Sequence, residues 1–454
     1  MDRIKNMTVG SPMRLILFFS FPLIAASIGQ QLYMVVDAII VGQGAGVEAL
    51  ASVGAADWSY WLALWAVYAL TQGFSIPISQ SFGEGNYGDV RKLTATSIYL
   101  SLIGAAALTV VCFAGGGFLL RILKTPDDIF DGALAYLLTM YGGLIVVTAY
   151  NMASSLLRAF GDGRTPLAAI AIAAAMNIGL DLLFVLVFRW GIVGAAIASV
   201  IAQFFAFLYC LRILCRIKWL KLDRQDWRPD KKLILLQCRL GIPLSLQNVL
   251  IAIGGMVLQS AINGQGFLFI AGFTATNKIY GLLESSAISL GYAVTTYTAQ
   301  NYGAGLYRRI RNGLKCSLLL SFLFSLSISA VMLAGGRFFL RLFIEQSSEN
   351  ADTVLQIAYR YLCILSCMLI ILYLLHVFRN ILQGMGNSFV PFLSGIMEFL
   401  ARVSVALFFS KIWDAQAIFL AEPFAWTAAT LILAILCIRK IQHLPIEMAN
   451  TNDG

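Results

Sequence analysis

The stretch that decides the fold is an almost unbroken apolar run from Leu15 to Gly42, with the sequence LILFFSFPLIAASIGQQLYMVVDAIIVG. A helix of that length can cross a lipid bilayer with some tilt. Two residues depart from the pattern, because Pro22 lacks a backbone N–H and bends a helix, and Asp37 places a carboxylate near hydrocarbon depth. An acid within a span is costly and predicts a functional site, whereas an acid at the outer end would be wetted or paired.

The composition of the whole chain predicts an all-α integral membrane protein. Hydrophobic residues make up 59% of the 454 residues and charged residues 12%. Because one span with its turn needs about 35–40 residues, the chain has room for about twelve transmembrane helices. The formal net charge of +9 lies in short loops between apolar runs, which indicates membrane topology and predicts no nucleic-acid partner.

The distribution of basic residues predicts the orientation. Twenty-three Lys and Arg residues fall at the ends of spans that share one side with both termini, and six fall at the opposite ends. The positive-inside rule therefore places both termini in the cytoplasm. We expect a multi-pass protein of the plasma membrane, which in a prokaryote is the inner, cytoplasmic membrane.

The two halves of the chain repeat each other. QSFGEGNYGDVRK from Gln80 matches QNYGAGLYRRIRN from Gln300 at five of thirteen positions, and Pro166 answers to Pro391 at an offset of 225. Because each half has six spans, both halves share one orientation, as in a parallel pseudo-two-fold repeat with a cavity expected between the lobes. The expected division is a lobe at 1–214, a cytoplasmic linker at 215–237, a lobe at 238–440 and a cytoplasmic tail at 441–454.

This pattern resembles the multidrug and toxic compound extrusion (MATE) transporters. The resemblance is carried by the parallel six-plus-six repeat, by Pro22 placed fifteen residues before Asp37, and by the repeated loops that begin at Gln80 and Gln300. It covers essentially the whole chain. It implies a secondary active antiporter, not an enzyme, that exports organic and often cationic compounds as H⁺ or Na⁺ enters.

The resemblance also implies roles for particular residues. Members with an acidic cluster in the first lobe bind the coupling ion there, and the matching positions here are Asp37, Asn177, Asp181 and Ser199, the last standing where Thr is often found. Pro22 would be the hinge of the first span. No cofactor other than the coupling ion, and no metal centre, is expected.

The spacing of these residues supports a cluster independently. Asn177 and Asp181 are four apart and share a helix face. Asp181 lies ten residues before Gly191 and Ser199 eight after it, which places both about 12–15 Å below the turn between two spans. Two carboxylates in one poorly hydrated pocket cannot both ionise cheaply, so the pocket suits a proton or a hard monovalent cation, and the sequence does not choose between them.

The second lobe lacks the acids that some relatives carry in their seventh and tenth spans. Its eighth span instead offers Lys278, Tyr280 and Glu284, which together with Gln30 and Tyr33 of the first span are candidates for a substrate cavity. Tyr280 is equally compatible with interfacial packing. On the eleventh span, Glu398 and Arg402 are four apart and are expected to form a structural ion pair.

Other functions fit the sequence less well. A flippase for lipids or lipid-linked oligosaccharides has a similar repeat, but such proteins often carry extra spans and a cationic cavity, whereas acids outnumber bases within the first-lobe spans here. An intramembrane enzyme is disfavoured because the chain contains no HExxH and no GxSxG motif. The expected partners are drug-like small molecules and membrane lipids, and the expected state is a monomer.

Overall fold

A computed structural model describes residues 4–344, 350–409 and 415–445, and these residues form helices and turns with no strand among them. The α-helices, numbered here in chain order, are α1 (Pro12–Ala45), α2 (Val47–Glu84), α3 (Tyr87–Ile122), α4 (Asp127–Gly142), α5 (Leu144–Ala159), α6 (Arg164–Asp181), α7 (Gly191–Cys215), α8 (Lys231–Asn263), α9 (Phe267–Gly303), α10 (Tyr307–Arg341), α11 (Ala351–Gly384), α12 (Phe389–Ser404) and α13 (Ala421–Gln442). Short π-helical segments, Leu182–Val187 and Val405–Phe409, continue α6 and α12.

Eleven of the twelve predicted spans are long and apolar enough to cross a membrane. Ten are single helices, and α4 and α5 together form an eleventh that is bent by 46°. The remaining helix, α9, has 37 residues and occupies the place of the eighth predicted span. It does not reach the hydropathy of the other spans, and its buried polar residues include Thr276, Ser286, Ser289, Thr295, Thr296, Thr298, Gln300 and Asn301.

The bend between α4 and α5 is not marked in the sequence, where residues 132–157 form one apolar run that predicts a single continuous span. The bend lies at Gly143, where a Cβ atom would collide with the side chain of Val200 on α7. The absence of a side chain therefore lets the bent span pack directly on α7, as small residues do where transmembrane helices approach closely.

Contacts divide the described chain into two compact units. Unit 1 contains the described residues up to Asn6 and Phe21–Val249, and unit 2 contains Met7–Ser20 and the described residues from Leu250 onward. The division therefore falls inside α1 and inside α8. The lobe boundary drawn from the sequence at 237/238 also lies inside α8, and the one at 214/215 lies at the end of α7. Those lobe boundaries remain a prediction, and residues 446–454 of the predicted tail lie outside the described residues.

The first half of α8 packs tightly on α2 within unit 1. A Cβ atom on Gly73 would meet the backbone of Gly241, so the two helices touch at paired glycines. Ser245 Oγ donates to the carbonyl of Ala66 at 3.0 Å, and Gln237 Nε2 donates to the carbonyl of Phe74 at 3.3 Å. Part of the predicted linker is thus helical, because α8 begins at Lys231.

The repeated loop has the same local geometry in each unit. Gly85 and Gly305 both adopt positive φ, +81° and +71°, which only glycine adopts without strain. Each loop then places a tyrosine ring edge-on to the ring five residues earlier, with centroid distances of 6.2 Å for Phe82–Tyr87 and 6.0 Å for Tyr302–Tyr307. The identities between the halves therefore preserve one turn geometry.

The last identical residue of the loop is an arginine that holds the chain beyond the sixth helix of each repeat. In unit 1, Arg91 Nη1 donates to the carbonyl of Trp219 at 3.5 Å, and its Nε pairs with Asp226 at 3.5 Å. In unit 2, Arg311 Nη2 donates to the carbonyl of Leu444 at 2.8 Å. The same side chain thus ties the end of each repeat to the first turns of its own third span.

Candidate functional site

The two predicted aspartates lie together in unit 1. Asp181 is the last residue of α6 and is fully buried, and Asp37 on α1 is half-buried. Their carboxyl groups lie close enough to interact electrostatically. Three carboxylate oxygens have no hydrogen-bond partner among the described residues: both oxygens of Asp181 and Oδ1 of Asp37. Since two ionised carboxylates are both acceptors, they cannot form a hydrogen bond to each other unless one of them carries a proton.

The other two predicted ligands, Asn177 and Ser199, form a hydrogen bond to each other. Asn177 lies one turn before Asp181 on α6, and Ser199 lies on α7. Asn177 is buried, and its Nδ2 donates to Ser199 Oγ on α7 at 3.3 Å. Its amide oxygen is buried and has no described hydrogen-bond partner. Oxygen atoms without donors therefore occur at Asp37, Asn177 and Asp181, which makes this part of unit 1 rich in acceptors.

Two tyrosine side chains, Tyr33 and Tyr136, lie within electrostatic range of the two aspartates. Tyr33, one turn before Asp37, interacts electrostatically with both aspartates and with Tyr68, whose hydroxyl accepts from Gln30 Nε2 at 3.4 Å. Tyr136 on α4 interacts with the same pair. Gln30 and Tyr33 therefore lie beside the predicted cation site. The sequence did not indicate Tyr68 or Tyr136, because tyrosine within a span is usually a packing or interfacial residue.

The helix ends beside this site have unusual geometry. The π-helical segment Leu182–Val187 begins directly after Asp181, and a Cβ atom on Gly44 of α1 would lie 2.8 Å from Val185 in that segment. π-Helical turns are uncommon and occur frequently at functional sites. Pro22 lies inside α1, which is one helix over Pro12–Ala45, so its role as a hinge remains a prediction.

The predicted substrate residues of unit 2 have different surroundings. Lys278 is exposed, and the ring of Tyr280 stacks on Trp426 at 5.8 Å between centroids. Glu284 is half-buried and interacts electrostatically with Tyr280, Arg402 and Glu422. Tyr280 therefore packs against an aromatic ring and neighbours a carboxylate at the same time.

The expected ion pair between Glu398 and Arg402 is present, but it is not the main contact of that arginine. Their closest charged atoms are 3.6 Å apart. Arg402 makes shorter bonds to Glu422, from Nε to Oε1 at 2.9 Å and from Nη2 to Oε2 at 2.8 Å. The sequence did not predict this bidentate pair, because the approach of α13 to α12 depends on tertiary packing.

Comparison with known proteins places this geometry in a family. The sequence profile of the MatE family matches residues 22–183 and 243–408. The chain is 30% identical to the probable multidrug resistance protein YpnP of Bacillus subtilis over 352 residues, which are 76% of this chain and 78% of that protein. It is 21% identical to the probable multidrug resistance protein NorM of Thermotoga maritima over 408 residues, with 86% and 84% of the two chains covered.

A solved structure shares the fold. It is described as the outward-facing conformation of a multidrug resistance MATE family transporter of the MOP superfamily. The TM-score is 0.88 at 21% sequence identity, and the match covers 98% of this chain and 99% of that chain. The predicted all-α fold of twelve membrane-spanning helices in two repeated six-helix halves is therefore confirmed.

Proposed function

The chain belongs to the MatE family of multi-pass membrane transporters, and we propose that it exports small organic, mainly cationic compounds in exchange for H⁺ or Na⁺. It is a transporter and not an enzyme. The relatives named above are called multidrug resistance proteins, which supports drug-like substrates for this chain too. The proposed coupling site is the cluster of Asp37, Asn177, Asp181 and Ser199.

One observation carries the ion-coupling part of the proposal. Asp181 is fully buried, and neither of its carboxylate oxygens has a described hydrogen-bond partner. An isolated ionised carboxylate inside a membrane protein costs several kcal/mol or more. No ion pair to Asp181 occurs among the described residues. The site therefore requires a proton or a small cation to balance its charge.

Coupling then follows from competition for negative charge. A proton or Na⁺ that enters the cluster cancels one negative charge of the Asp37 and Asp181 pair, and α1 changes its bend at Pro22. Gln30 and Tyr33, which lie on α1 beside the cluster, move with that helix and release a cationic substrate. A ligand shifts such an equilibrium only by its difference in affinity for the two states, and here that difference comes from the charge of the aspartates.

The flippase alternative is not favoured. The relatives in the comparison are named as multidrug resistance proteins, and the aspartate cluster carries no described basic partner that would attract a phosphate. We propose that both termini face the cytoplasm and that the protein acts as a monomer in the inner membrane. Labelling of single cysteines at each end of the chain in intact cells tests the orientation.

The proposed exchange is tested in liposomes that hold the purified protein. An imposed pH gradient and an imposed Na⁺ gradient are applied separately, and the initial rate of export of a fluorescent cationic dye is measured. We expect one gradient to drive export and expect Asp37→Asn and Asp181→Asn each to reduce the driven rate to that of empty liposomes. Asp128→Asn, which changes an exposed acid at the start of α4, is the matched control. Full driven transport in both site variants would refute the mechanism.

A further inference from the structure

A basic segment, residues 212–232 of unit 1, connects α7 to α8 and has no part in the proposed ion exchange. It contains the end of α7 at Cys215, the loop that follows, and the start of α8 at Lys231. Both helices are long and apolar enough to span a membrane, so the loop between them lies at a membrane surface. The basic segment is therefore placed at the level of the lipid headgroups.

The basic side chains of this segment greatly outnumber the acids available to pair with them. Eight basic residues are exposed, and none of their side chains forms a hydrogen bond or an ion pair with another described residue: Arg212, Arg216, Lys218, Lys221, Arg224, Arg228, Lys231 and Lys232. Two of the three acids are already engaged. Asp226 is buried, accepts from the backbone N–H of Asp223 at 2.9 Å and pairs with Arg91 at 3.5 Å. Asp230 accepts from the backbone N–H of Lys232 at 2.8 Å, so the exposed surface is strongly positive.

Aromatic and apolar contacts fix the backbone of the basic segment against the rest of unit 1. Ile217 and Leu220 are buried in the core of that unit. Trp219, which lies between them, packs against three aromatic rings with centroid distances of 5.4, 5.0 and 5.0 Å: Phe82, Tyr87 and Phe160. Because the backbone is already ordered, little conformational entropy is lost when the basic side chains bind a ligand.

Exposed apolar side chains lie directly beside the basic ones. On α8, Leu235 is 68% exposed and lies one turn after Lys231 on the same helix face. In the loop, Trp227 is 45% exposed, and tryptophan is enriched where membrane meets water. A phospholipid has the matching arrangement, because its charged headgroup stands directly above its acyl chains.

We propose that the basic segment is a binding surface for the headgroups of anionic phospholipids. Lysine and arginine side chains at the membrane surface are attracted to anionic headgroups. Leu235 and Trp227 contact the acyl chains and the boundary region of the same lipids. A soluble phosphate would match the charge of this surface but would leave the apolar side chains beside it uncovered. Lipid binding of this kind is independent of whether transport is coupled to an ion.

The test measures the preference of the full-length protein for anionic over zwitterionic lipid. The protein is reconstituted in phosphatidylcholine vesicles that contain a trace of spin-labelled phosphatidylglycerol or of spin-labelled phosphatidylcholine. Electron paramagnetic resonance then gives the fraction of each label whose motion is restricted by the protein. We expect a several-fold preference for the phosphatidylglycerol label at low salt. The preference should decline at about 1 M salt, where charges are screened beyond about 3 Å.

Two variants with the same loss of charge locate the binding surface. The first replaces three exposed residues of the basic segment and should lose most of the preference: Lys218→Gln, Lys221→Gln and Arg228→Gln. The control replaces three exposed residues that follow α3 or precede α7, at the opposite ends of these spans, and should keep it: Arg121→Gln, Lys124→Gln and Arg189→Gln. Size-exclusion chromatography verifies that both variants are folded.

Three results would overturn the proposal. The wild type could restrict the two labels equally, which would mean that it has no preference for anionic lipid. The two variants could lose the preference equally, which would assign it to net charge and not to the basic segment. Inorganic phosphate, added at constant ionic strength, could abolish the preference, which would assign the surface to soluble phosphate.

Discussion

Equivalent positions of the two repeats carry opposite solutions for buried charge. Asn177 on α6 and Arg402 on α12 are 225 residues apart, the same offset as Pro166 and Pro391, and each lies less than two turns before a π-helical segment. In unit 1 the residue is a neutral amide, and the neighbouring Asp181 has no base. In unit 2 it is an arginine that binds Glu422 with two hydrogen bonds.

This difference shows how one helix arrangement can serve two purposes. A carboxylate without a base must take up a proton or cation to remain in a membrane, which makes it exchangeable. A carboxylate paired with arginine is already neutralised and holds helices together instead. We therefore interpret unit 1 as the exchanging half and the paired charges of unit 2 as structural.

The largest expected effect is the loss of the base in unit 2. Arg402→Ala would leave the half-buried Glu422 without its bidentate partner and the buried Glu398 with Arg379 alone, which costs up to about 3–5 kcal/mol of folding free energy. We expect a low yield and a clearly lower melting temperature in detergent. The melting temperature is measured by size-exclusion chromatography of samples heated to a series of temperatures. Asn177→Ala, at the equivalent position of unit 1, is the control and should melt close to the wild type. Equal melting of both variants would contradict the structural interpretation of the paired charges.

The next largest effect is expected when unit 1 is given an arginine at the position that is equivalent to Arg402. Asn177→Arg places a guanidinium one turn from Asp181, where it can pair with the carboxylate that otherwise needs a cation. We expect the protein to fold and the ion-driven export of dye from liposomes to fall to the background rate. Asn177→Gln, which lengthens the side chain without adding charge, should retain more transport. Undiminished coupling in Asn177→Arg would show that the aspartates do not exchange the ion.

The sequence predicted those features that follow from local spacing. The spans follow from apolar runs, and the common face of Asn177 and Asp181 follows from the helical repeat. The approach of Asp37 to Asp181 was expected from the resemblance together with similar depths, and the structure places the two side chains near each other. Their role as ligands of a cation remains a prediction.

Features that depend on tertiary packing were not predictable. Glu422 lies 20 residues from Arg402, and nothing in the sequence marks it as the bidentate partner. The bend at Gly143 depends on the side chain of Val200, and the π-helical segments have no sequence signal. The division of the chain inside α1 and α8 follows from contacts that only the folded chain contains.

A smaller effect tests the part that the two units share. Gly85→Ala and Gly305→Ala put a Cβ atom on residues with φ of +81° and +71°, where no other atom lies within 4 Å of it. The cost is therefore backbone strain alone, about 1–2 kcal/mol. We expect similar losses of unfolding free energy in both variants, measured by denaturation in mixed micelles. Gly54→Ala, with equally open surroundings but inside α2, should not destabilise the protein.

The smallest effect concerns the two arginines that hold the ends of the repeats. Arg91→Ala removes a half-exposed ion pair with Asp226, and Arg311→Ala removes a hydrogen bond to the carbonyl of Leu444, each worth about 1 kcal/mol or less. We expect no change in melting but faster amide hydrogen exchange, confined to residues 216–226 in the first variant and to 441–445 in the second. The exposed Lys92→Ala is the control. Among the described residues, the hydrogen bonds and the ion pair of each arginine join it to the end of its own repeat. Exchange that spreads to the other repeat would therefore show that the two ends do not act independently.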